Sequence, residues 1–563
     1  MKYDASAIIE SLNSLRGDRA QLNELWQEVS EVLAPERMGF TRGSLNRSKR
    51  RMQKVFDTTP MIAQRGLVNA LGAMMRPKSA APGKWFDIVP EDEDMMDDGE
   101  VKSWLSMCEE RLWKALYNPK ARFIEATGEI DGDIVTFGSG AGYVGVRPDM
   151  SGLMFRAFHM ANVYVEVDSL NQPECYYIIE KLTVKQAAGR FGEENLGKEM
   201  QQLLRKVEDN RGRGQEKHEF IWKTGPRHER NPAYKNQENM PFYSVVVDVT
   251  SKHIVQTGGF KQMPFFFPRW DTRSGEIYGR GPGVLALPDT LTLQQMGKTM
   301  LRGLHRAVDP PWLLPSDSMV NAPQLRPGGV SYYDARAIRN LGMSRPFQQM
   351  ESNANIPWGL DAQNMAREQI FAMFYRNVLN LPVQGPQMTA TEVIQRREEF
   401  VREIGAVFGR LESDYTGPMV ESAFNIMLEN GGFGPIEEIP EALQGSDVSF
   451  RFASPVEKAK RQIEEATVSE SIQKVMAIGQ VKPEIMDRFN WDAIGKFIAE
   501  AGDFPPELTL DDSAMDALQQ QRQQQAAMEA GMQTAERLAS AAGSAAPAMT
   551  AMQGMEDMEA TGA

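Results

Sequence analysis

The residues best placed for chemistry in this sequence form a run that could bind phosphate, Gly297-Lys298-Thr299. In a phosphate-binding loop of the pattern G-x-x-x-x-G-K-T, backbone amides and the lysine hold the phosphates of a nucleotide. Here Thr292 stands at the position of the first glycine, and the apolar spacing around the run predicts a helix instead of a strand, loop and helix. The sequence therefore argues against a nucleotide site at this position.

A second glycine-rich run, from Gly140 to Gly145, matches the dinucleotide-binding pattern G-x-G-x-x-G. That pattern needs a helix directly after it, whose amino terminus holds the pyrophosphate. Here a strand-like run and Pro148 follow. We interpret these glycines as permitting a bulge or a close approach of two backbones.

The remaining reactive side chains lack the spacing of known reaction centres. No G-x-S-x-G nucleophile motif is present. Cys108 and Cys175 are too few for a disulfide framework and lack the C-x-x-C spacing of a zinc site, so we expect two reduced, packed thiols. The five histidines have no short metal-ligand spacing; they are His159, His218, His228, His253 and His305. We therefore expect no catalytic residue, no metal and no cofactor.

Two charged tracts offer weaker signals. A basic tract between residues 42 and 54 could bind phosphate, and an acidic tract between residues 91 and 100 could gather carboxylates around a metal. Consecutive like charges are more typical of solvated loops or of strips that face another subunit. We interpret the basic tract as a solvated or subunit-facing strip, without a specific role, and the acidic tract as a solvated loop.

Composition excludes several classes of protein. The chain has 563 residues, of which 42% are hydrophobic and 25% are charged, values typical of globular proteins that fold in water. No apolar run approaches the roughly 20 residues that span a bilayer, and the first residues lack a signal core, so we expect no membrane association. The net charge of −14 would repel nucleic acid, so a DNA partner would not be held tightly.

The first half of the chain is predicted to be helical and then rich in strands. Apolar residues from Ile8 to Leu33 recur at helical spacing, with Pro35 marking the end, and a second helix begins near Thr58. From about Val135 to Trp270, short β-rich runs alternate with turn residues. The sequence therefore predicts an α+β fold with a mostly antiparallel β region.

The second half returns to helix. A long apolar stripe ends before Asp309, an irregular excursion from Pro310 to Pro357 contains a short β-like piece at residues 330–333, and another helix follows from about residue 361. Two prolines and a glycine force a loop at residues 381–388. A T-x-x-E capping box then starts a helix, roughly 60 Å long at 1.5 Å per residue, which Pro418 should kink.

The most specific sequence blocks resemble the portal, or head-to-tail connector, family of short-tailed bacteriophages (podoviruses). One block is Gly275-Glu276-Ile277-Tyr278-Gly279-Arg280-Gly281-Pro282-Gly283, followed by Leu285-Ala286-Leu287-Pro288-Asp289 and Val308-Asp309-Pro310-Pro311. The other is Met388-Thr389-Ala390-Thr391-Glu392-Val393 with the later Gly417-Pro418, and weaker support comes from Phe56-Asp57-Thr58-Thr59. The resemblance extends from the first helix to about Met427.

The resemblance implies the portal fold, an α/β wing with a helical stem, a clip, a tunnel loop and a crown. The expected boundaries are residues 1–285 for the wing, 286–307 for the first stem helix, 308–360 for the clip, 361–380 for the second stem helix, 381–388 for the tunnel loop, 389–434 for the long kinked helix and the return to the wing, and 435–510 for the helical crown. Residues 511–563, rich in Ala, Gln and Met, form a helical or disordered tail outside the resemblance.

The resemblance also implies a function. Portal subunits form a ring, commonly a homododecamer, at one capsid vertex of the virion, and double-stranded DNA passes through it during genome packaging and ejection. The implied partners are the terminase large subunit, tail adaptor and nozzle proteins, the major capsid and scaffolding proteins, and internal core or ejection proteins. Assembly is expected in the host cytoplasm.

Particular residues follow from the same resemblance. The tunnel loop would face DNA through Val383, Gln384, Gly385, Pro386, Gln387 and Met388, and Trp312 and Trp358 would anchor partners at the clip. Twelve copies at −14 each carry about −168, so the channel would be acidic and DNA could slide. The alternatives are a packaging enzyme, either terminase or nuclease, and a tail adaptor or scaffold. The enzyme would need an intact phosphate loop or a carboxylate metal centre.

Overall fold

A computed structural model describes most of the chain up to residue 452. The described residues are 3–41, 54–77, 85–91, 98–209, 215–230, 237–316, 324–334, 348–350, 356–376, 402–403, 405–435, 439–440, 443 and 448–452, with scattered positions from 467 to 528. Residues 1–463 form one compact unit and residues 464–563 another. The first unit combines helices with mostly antiparallel sheets, which confirms the α+β class.

The N-terminal apolar pattern forms two helices, α1 (Ala5–Asp18) and α2 (Ala20–Leu33), where the sequence predicted one. The chain turns at Arg19, whose side chain is buried. Its guanidinium donates to the backbone carbonyls of Val163 and Ala161 and lies 3.6 Å from the centre of the Tyr164 ring. A buried cation must be stabilised by hydrogen-bond acceptors or an aromatic ring. The break between α1 and α2 therefore depends on residues far along the chain.

The next helices surround a short strand. Helix α3 (Thr59–Met75) begins at the predicted position, and β1 (Phe86–Pro90) follows it. Within the acidic tract, Asp98 caps α4 (Gly99–Leu116) by accepting from the Glu100 amide at 2.9 Å; residues 92–97 lie outside the described residues. Helix α5 (Phe123–Phe137) is largely buried and ends at Gly138.

Two antiparallel sheets form the predicted β region, which begins after α5. Strands β2 (Gly142–Val146), β3 (Leu153–Ala157) and β9 (Phe265–Phe266) form one sheet in the order β3-β2-β9. The larger sheet contains, in spatial order, β4 (Val163–Val167), β5 (Pro173–Thr183), β6 (Lys217–Pro226), β7 (Phe242–Asp248) and β8 (His253–Phe260). Helices α6 (Val184–Phe191) and α7 (Lys198–Glu208) lie between β5 and β6 in sequence.

Two long helices flank a small sheet. After the short α8 (Pro282–Leu285), helix α9 (Leu287–Val308) ends where the sequence predicted. Strand β10 (Trp312–Ser316) pairs in parallel with β11 (Val330–Asp334), which confirms the predicted β-like piece, and antiparallel with β12 (Gln348–Gln349). Helix α10 (Ile356–Met373) begins five residues before the predicted start. Pro357 lies in its first turn, where a proline needs no amide donor.

The long helix is interrupted before Pro418. Residues 405–411 are helical, Glu412–Thr416 form a π-helical turn, and α11 (Gly417–Glu429) continues to the predicted end before Gly431. Pro418 cannot donate a hydrogen bond to the carbonyl four residues earlier, so the ladder must change here. At the place where the sequence predicted a kink, the helix therefore has a π-helical turn. The helix start at the capping box lies outside the described residues.

The last described strand returns to the beginning of the chain. Strand β13 (Val448–Phe452), which the resemblance assigns to the crown, pairs antiparallel with β1, with Phe452 opposite Phe86. In the second unit, residues 467–469 and 471–476 are helical. Of the tail predicted for residues 511–563, only positions 525 and 528 are described. Within the described part of the chain, no helix has the length and apolar character to cross a membrane.

Candidate functional site

One polar clamp joins the two long helices α9 and α10 to the start of α3. Gln294, on the buried face of α9, accepts from the amides of Phe56 at 2.6 Å and Asp57 at 2.9 Å and donates to the Asp57 carbonyl at 2.7 Å. Arg367 of α10 donates to Asp57 Oδ2. Asp57 Oδ1 accepts from the amide of Thr59, the first residue of α3, at 2.9 Å. One residue therefore fixes both long helices to the start of α3.

This clamp also sets the pKa of Asp57. Burial would raise the pKa of the carboxyl group, but hydrogen bonds from Thr59 and the guanidinium of Arg367 outweigh it and lower the pKa below 3.8. The side chain of Asp57 is 8% exposed. A buried carboxylate with these donors stays ionised, so the clamp is charged at neutral pH.

The glycine block that precedes α8 packs directly on the end of α5. A Cβ at Gly279 would collide with the Gly138 carbonyl, and a Cβ at Gly281 would lie 2.5 Å from the Ile134 carbonyl. Gly138 itself has a φ of 91°, which favours glycine. The Gly279 amide donates to the buried hydroxyl of Ser139 at 2.8 Å. The glycines of this block therefore bring two backbones together at the base of α9.

Two ion pairs hold α5 to its surroundings, and the aspartate of each is buried. Asp131 pairs with Arg76 at the end of α3, and Asp133 pairs with Arg37. Burial raises the pKa of both aspartates, because desolvation outweighs the attraction of each arginine. Tyr415, in the π turn, donates to the Thr127 carbonyl at 3.2 Å, so the interrupted helix is fixed to the same surface of α5.

An open groove of about 820 Å³ runs along α3 and α5 beside these pairs. Its walls carry both signs of charge, including Glu36, Arg65 and Glu125. Arg76 Nη1 and Asp131 Oδ1 have no hydrogen-bond partner, but both atoms are closed off from the surface. The accessible side chains of the groove therefore do not indicate a particular class of ligand.

The predicted partner-docking residues lie on different elements. Trp312 begins β10 and is 37% exposed, whereas Trp358 lies in the first turn of α10 and is 75% exposed. Their side chains are thus presented at the surface, one from the small sheet and one from the helix. Their role in binding partners stays a prediction.

The predicted DNA-facing residues, Val383, Gln384, Gly385, Pro386, Gln387 and Met388, lie outside the described residues. The described chain stops at residue 376 after α10 and resumes at residue 402. Their contact with DNA stays a prediction.

The motifs rejected from sequence have structural roles. Gly297 lies inside α9, where a Cβ would be 3.2 Å from Phe56 Cβ, and Lys298 places its ammonium 5.8 Å from the Phe56 ring centre. Gly142 lies in β2 against the Phe266 ring, which confirms the close packing expected of the second glycine run. The helical setting of Lys298 leaves no loop of free amides for phosphate.

The cysteines are packed thiols, as predicted. Burial raises the pKa of Cys108 to about 12 and that of Cys175 to about 11. Both are free, and their raised pKa values keep each in the protonated, less reactive form at neutral pH. Among the described residues, no three His, Cys, Asp or Glu side chains are grouped so that they could hold a metal ion.

Sequence reasoning missed the clamp. Phe56 and Asp57 were noted as part of a block, but their role depends on Gln294 and Arg367, which are more than 200 residues away. One signal was available: Gln294 is a polar residue on the apolar, buried face of a predicted helix. Buried amides of this kind almost always have hydrogen-bond partners.

Comparison with known proteins gives a consistent result. The sequence model of a family described as bacteriophage head to tail connecting protein matches residues 5–509. A probable portal protein of Bordetella phage BPP-1 is 27% identical over 545 residues, 95% of each chain. The portal protein of Salmonella phage epsilon15 is 23% identical over 523 residues, 92% of this chain and 90% of the relative. A chain from the virion of a native gene transfer agent particle aligns with a TM-score of 0.34 and 10% identity, covering 74% of this chain and 86% of that one.

Proposed function

Because the chain belongs to the bacteriophage head to tail connecting protein family, we propose that it is a portal protein, a subunit of the ring at one capsid vertex through which DNA enters and leaves the head. The observation that carries this function is the match to two phage portal proteins over 95% and 92% of the chain. Sequence similarity over that length includes every region predicted before the tail. A similarity limited to one shared motif would cover only a few dozen residues.

The role is structural, without a reaction of its own. Both relatives are named as portal proteins and neither is named as an enzyme. The run Gly297-Lys298-Thr299 lies inside α9, where backbone amides donate to helix carbonyls and cannot converge on a phosphate. These observations support a scaffold that guides DNA while another protein supplies the energy.

The architecture of the subunit follows the portal plan. Helices α9 and α10 form the stem, the small sheet of β10, β11 and β12 belongs to the clip, and the helices and sheets before residue 285 form the wing. Supporting this assignment, α9 ends at Val308 and β10 begins four residues later, so the chain enters the clip directly from the stem. The clamp at Asp57 and the glycine block at Gly281 connect the stem to the wing.

The clip docks the packaging motor during genome entry and a tail adaptor afterwards. Trp312 and Trp358 are the contact residues in this proposal, because large aromatic side chains at a surface are common anchors of protein interfaces. Exposure of both side chains supports this role. The tunnel loop at residues 381–388 lines the narrowest part of the channel, where amides and a thioether contact DNA without fixed charge.

Twelve copies form the ring, and the net charge of −14 on each keeps DNA mobile within it. Capsid, scaffolding and internal core proteins contact the wing and crown in the virion. Electron microscopy of the purified chain tests the central proposal, since a portal protein forms rings with a central hole without nucleotide. A chain that stays monomeric in native salt by mass and by microscopy would contradict it.

A further inference from the structure

The long helix that ends in α11 contains three features that weaken a helix, all between residues 409 and 418. Gly409 is exposed inside the helix, and a Cβ there would have no atom within 4 Å, so no packing requires a glycine. In the π turn that follows, an amide donates to the carbonyl five residues earlier. Pro418 then lacks a backbone donor. We call residues 409–418 the weak stretch, because glycine, π turn and proline each lower helix stability.

The π turn takes up one residue more than a regular helix would need. At 100° per residue, the buried Phe408 and Leu411 would point about 120° away from the buried face of α11. The extra residue of the π turn brings both apolar faces to the same side. Ser413 is the one exposed residue of this turn. A regular helix without Ser413 would bury the same apolar residues, so packing alone does not require the π turn.

A three-residue segment, Arg269–Asp271, holds the weak stretch from outside the helix. Arg269 Nε donates to Asp414 Oδ2 at 3.3 Å, and Arg410 Nη1 donates to Asp271 Oδ1 at 3.1 Å. The charges are crossed, since the segment supplies the cation of one pair and the anion of the other. The Arg269 pair is largely buried, whereas the Arg410 pair is exposed. We call Arg269–Asp271 the latch.

The latch is itself fixed by backbone hydrogen bonds. The Trp270 amide donates to the Gly138 carbonyl at 2.9 Å, and the Asp271 carbonyl accepts from the Arg280 amide at 2.8 Å. Trp270 is buried, and its ring centre lies 6.1 Å from that of Tyr375, just after α10. The latch is therefore a rigid support that contacts both the end of α10 and the long helix.

The two sides of the weak stretch are held to different extents. On the α11 side, Met419, Val420 and Ala423 are buried, and the Ser422 hydroxyl donates to the Met263 carbonyl at 3.3 Å. On the other side, none of the described residues between 402 and 407 is buried. Local opening is favoured where little apolar surface is buried, so the part before Gly409 can change direction at a lower cost than α11 can.

We propose that residues 409–418 are a joint at which the long helix changes direction, and that Arg269–Asp271 is the latch that holds this joint in its present conformation. When the two ion pairs open, the turns before Gly409 tilt while α11 stays packed. An exposed glycine and an extra residue suit a joint, whereas a rigid helix needs neither. The latch does not depend on the proposed portal function; use of the joint while DNA passes rests on that function.

Hydrogen exchange of the full-length protein, measured by mass spectrometry, tests the latch. Asp414→Asn should raise the exchange rate of residues 405–416 by about tenfold or more, because Arg269 loses its anion. Arg269 keeps the Asn171 carbonyl as an acceptor at 3.0 Å, so exchange in α11 and β6 should not change. The matched control is Arg280→Gln, which removes an exposed pair with Glu276 beside the latch and should leave residues 405–416 unchanged.

A charge reversal tests the exposed pair without removing a buried group. Asp271→Arg should raise the same exchange rate by about two- to fivefold, and Arg410→Asp in the same chain should restore it. Exchange that stays unchanged in both variants, or that rises equally in α11, would show that the long helix is one rigid unit and would overturn the latch.

Gly409→Ala and, separately, deletion of Ser413 test the joint. Gly409→Ala should slow exchange of residues 405–416 by about fivefold, and both changes should leave rings intact but give fewer DNA-filled heads. Gly128→Ala is the matched control, an exposed helical glycine of α5 with no atom within 4 Å of the added Cβ. Normal DNA filling by both joint variants would overturn the joint and leave the portal function standing. Absence of rings from the unsubstituted chain would overturn the portal function, and the exchange rates would still decide the latch.

Discussion

The guanidinium of Arg367 donates two hydrogen bonds to one oxygen of Asp57, at 3.0 Å from Nε and 2.8 Å from Nη2. The Asp57 side chain is buried and also accepts from the amide of Thr59, so α10 is connected to the start of α3 through this one carboxylate. The arginine is about one third exposed, and the aspartate would lose its cation without it.

Replacing Arg367 with Gln should lower the free energy of unfolding by about 1–3 kcal/mol, because Asp57 is left buried without its charged donor. Thermal and urea unfolding of the purified protein would measure the change. Arg65→Gln is the control, since Arg65 is exposed on α3 and should change stability by less than about 0.5 kcal/mol. Equal effects of the two substitutions would show that the clamp contributes nothing.

The contribution of Asp57 should depend on pH. Its pKa in the folded protein is below 3.8, so the unfolded chain binds the proton more readily. The stability that the carboxylate supplies is therefore fully present above pH 3.8 and is lost as the pH falls through the folded pKa. The difference in unfolding free energy between the unsubstituted chain and Asp57→Asn should narrow below pH 3.8. A difference that stays constant through acidification would contradict this assignment.

Gly281→Ala should destabilise the contact between the glycine block and α5 by about 1–3 kcal/mol or more, because its Cβ would lie 2.5 Å from the Ile134 carbonyl and neither backbone can move freely. Gly128→Ala in α5 is the matched control, with no atom within 4 Å of the added Cβ. It should be neutral or stabilising by up to about 1 kcal/mol through helix propensity. Calorimetry of both variants tests the contrast, and a tolerated Gly281→Ala would refute the close approach.

Removing residues 384–387 should leave rings intact and allow packaged DNA to slip back or leak from the head. The sequence predicts a loop here between α10 and a second long helix, so we expect the loop to change while both helices remain packed. Counting rings and DNA-filled heads separately by microscopy distinguishes this outcome from its alternative. Loss of rings would mean that the loop fills space between subunits, and normal DNA retention would remove its role in the channel.

Trp312→Ala and Trp358→Ala should each form normal rings but bind the packaging motor or the tail adaptor more weakly, by about 2 kcal/mol or more if the residue is a contact hot spot. Binding of purified partners to assembled rings measures the effect. Leu325→Ala is a useful control, because this residue lies between β10 and β11 in sequence and is 51% exposed. Wild-type binding by both tryptophan variants would exclude them as anchors.

The sequence by itself determined the features that depend on neighbouring residues. The end of α9 before Asp309, the β-like piece at Val330 and the end of the long helix before Gly431 all follow from apolar spacing and turn residues. The glycine and T-x-x-E blocks also indicated the family, because many short matches over most of the chain are unlike chance similarity.

Only the tertiary structure decided which distant residues meet. The break at Arg19 depends on carbonyls near residue 163, β1 pairs with a strand about 360 residues later, and Asp57 joins Gln294 to Arg367. Periodicity reports the face that a side chain occupies on its own helix or strand, since the backbone geometry repeats. Periodicity carries no information on which residue of another element that side chain contacts, because the contact is set by how whole helices and strands pack. Polar contacts such as those of Asp57 also depend on this packing, since it is what removes both groups from water.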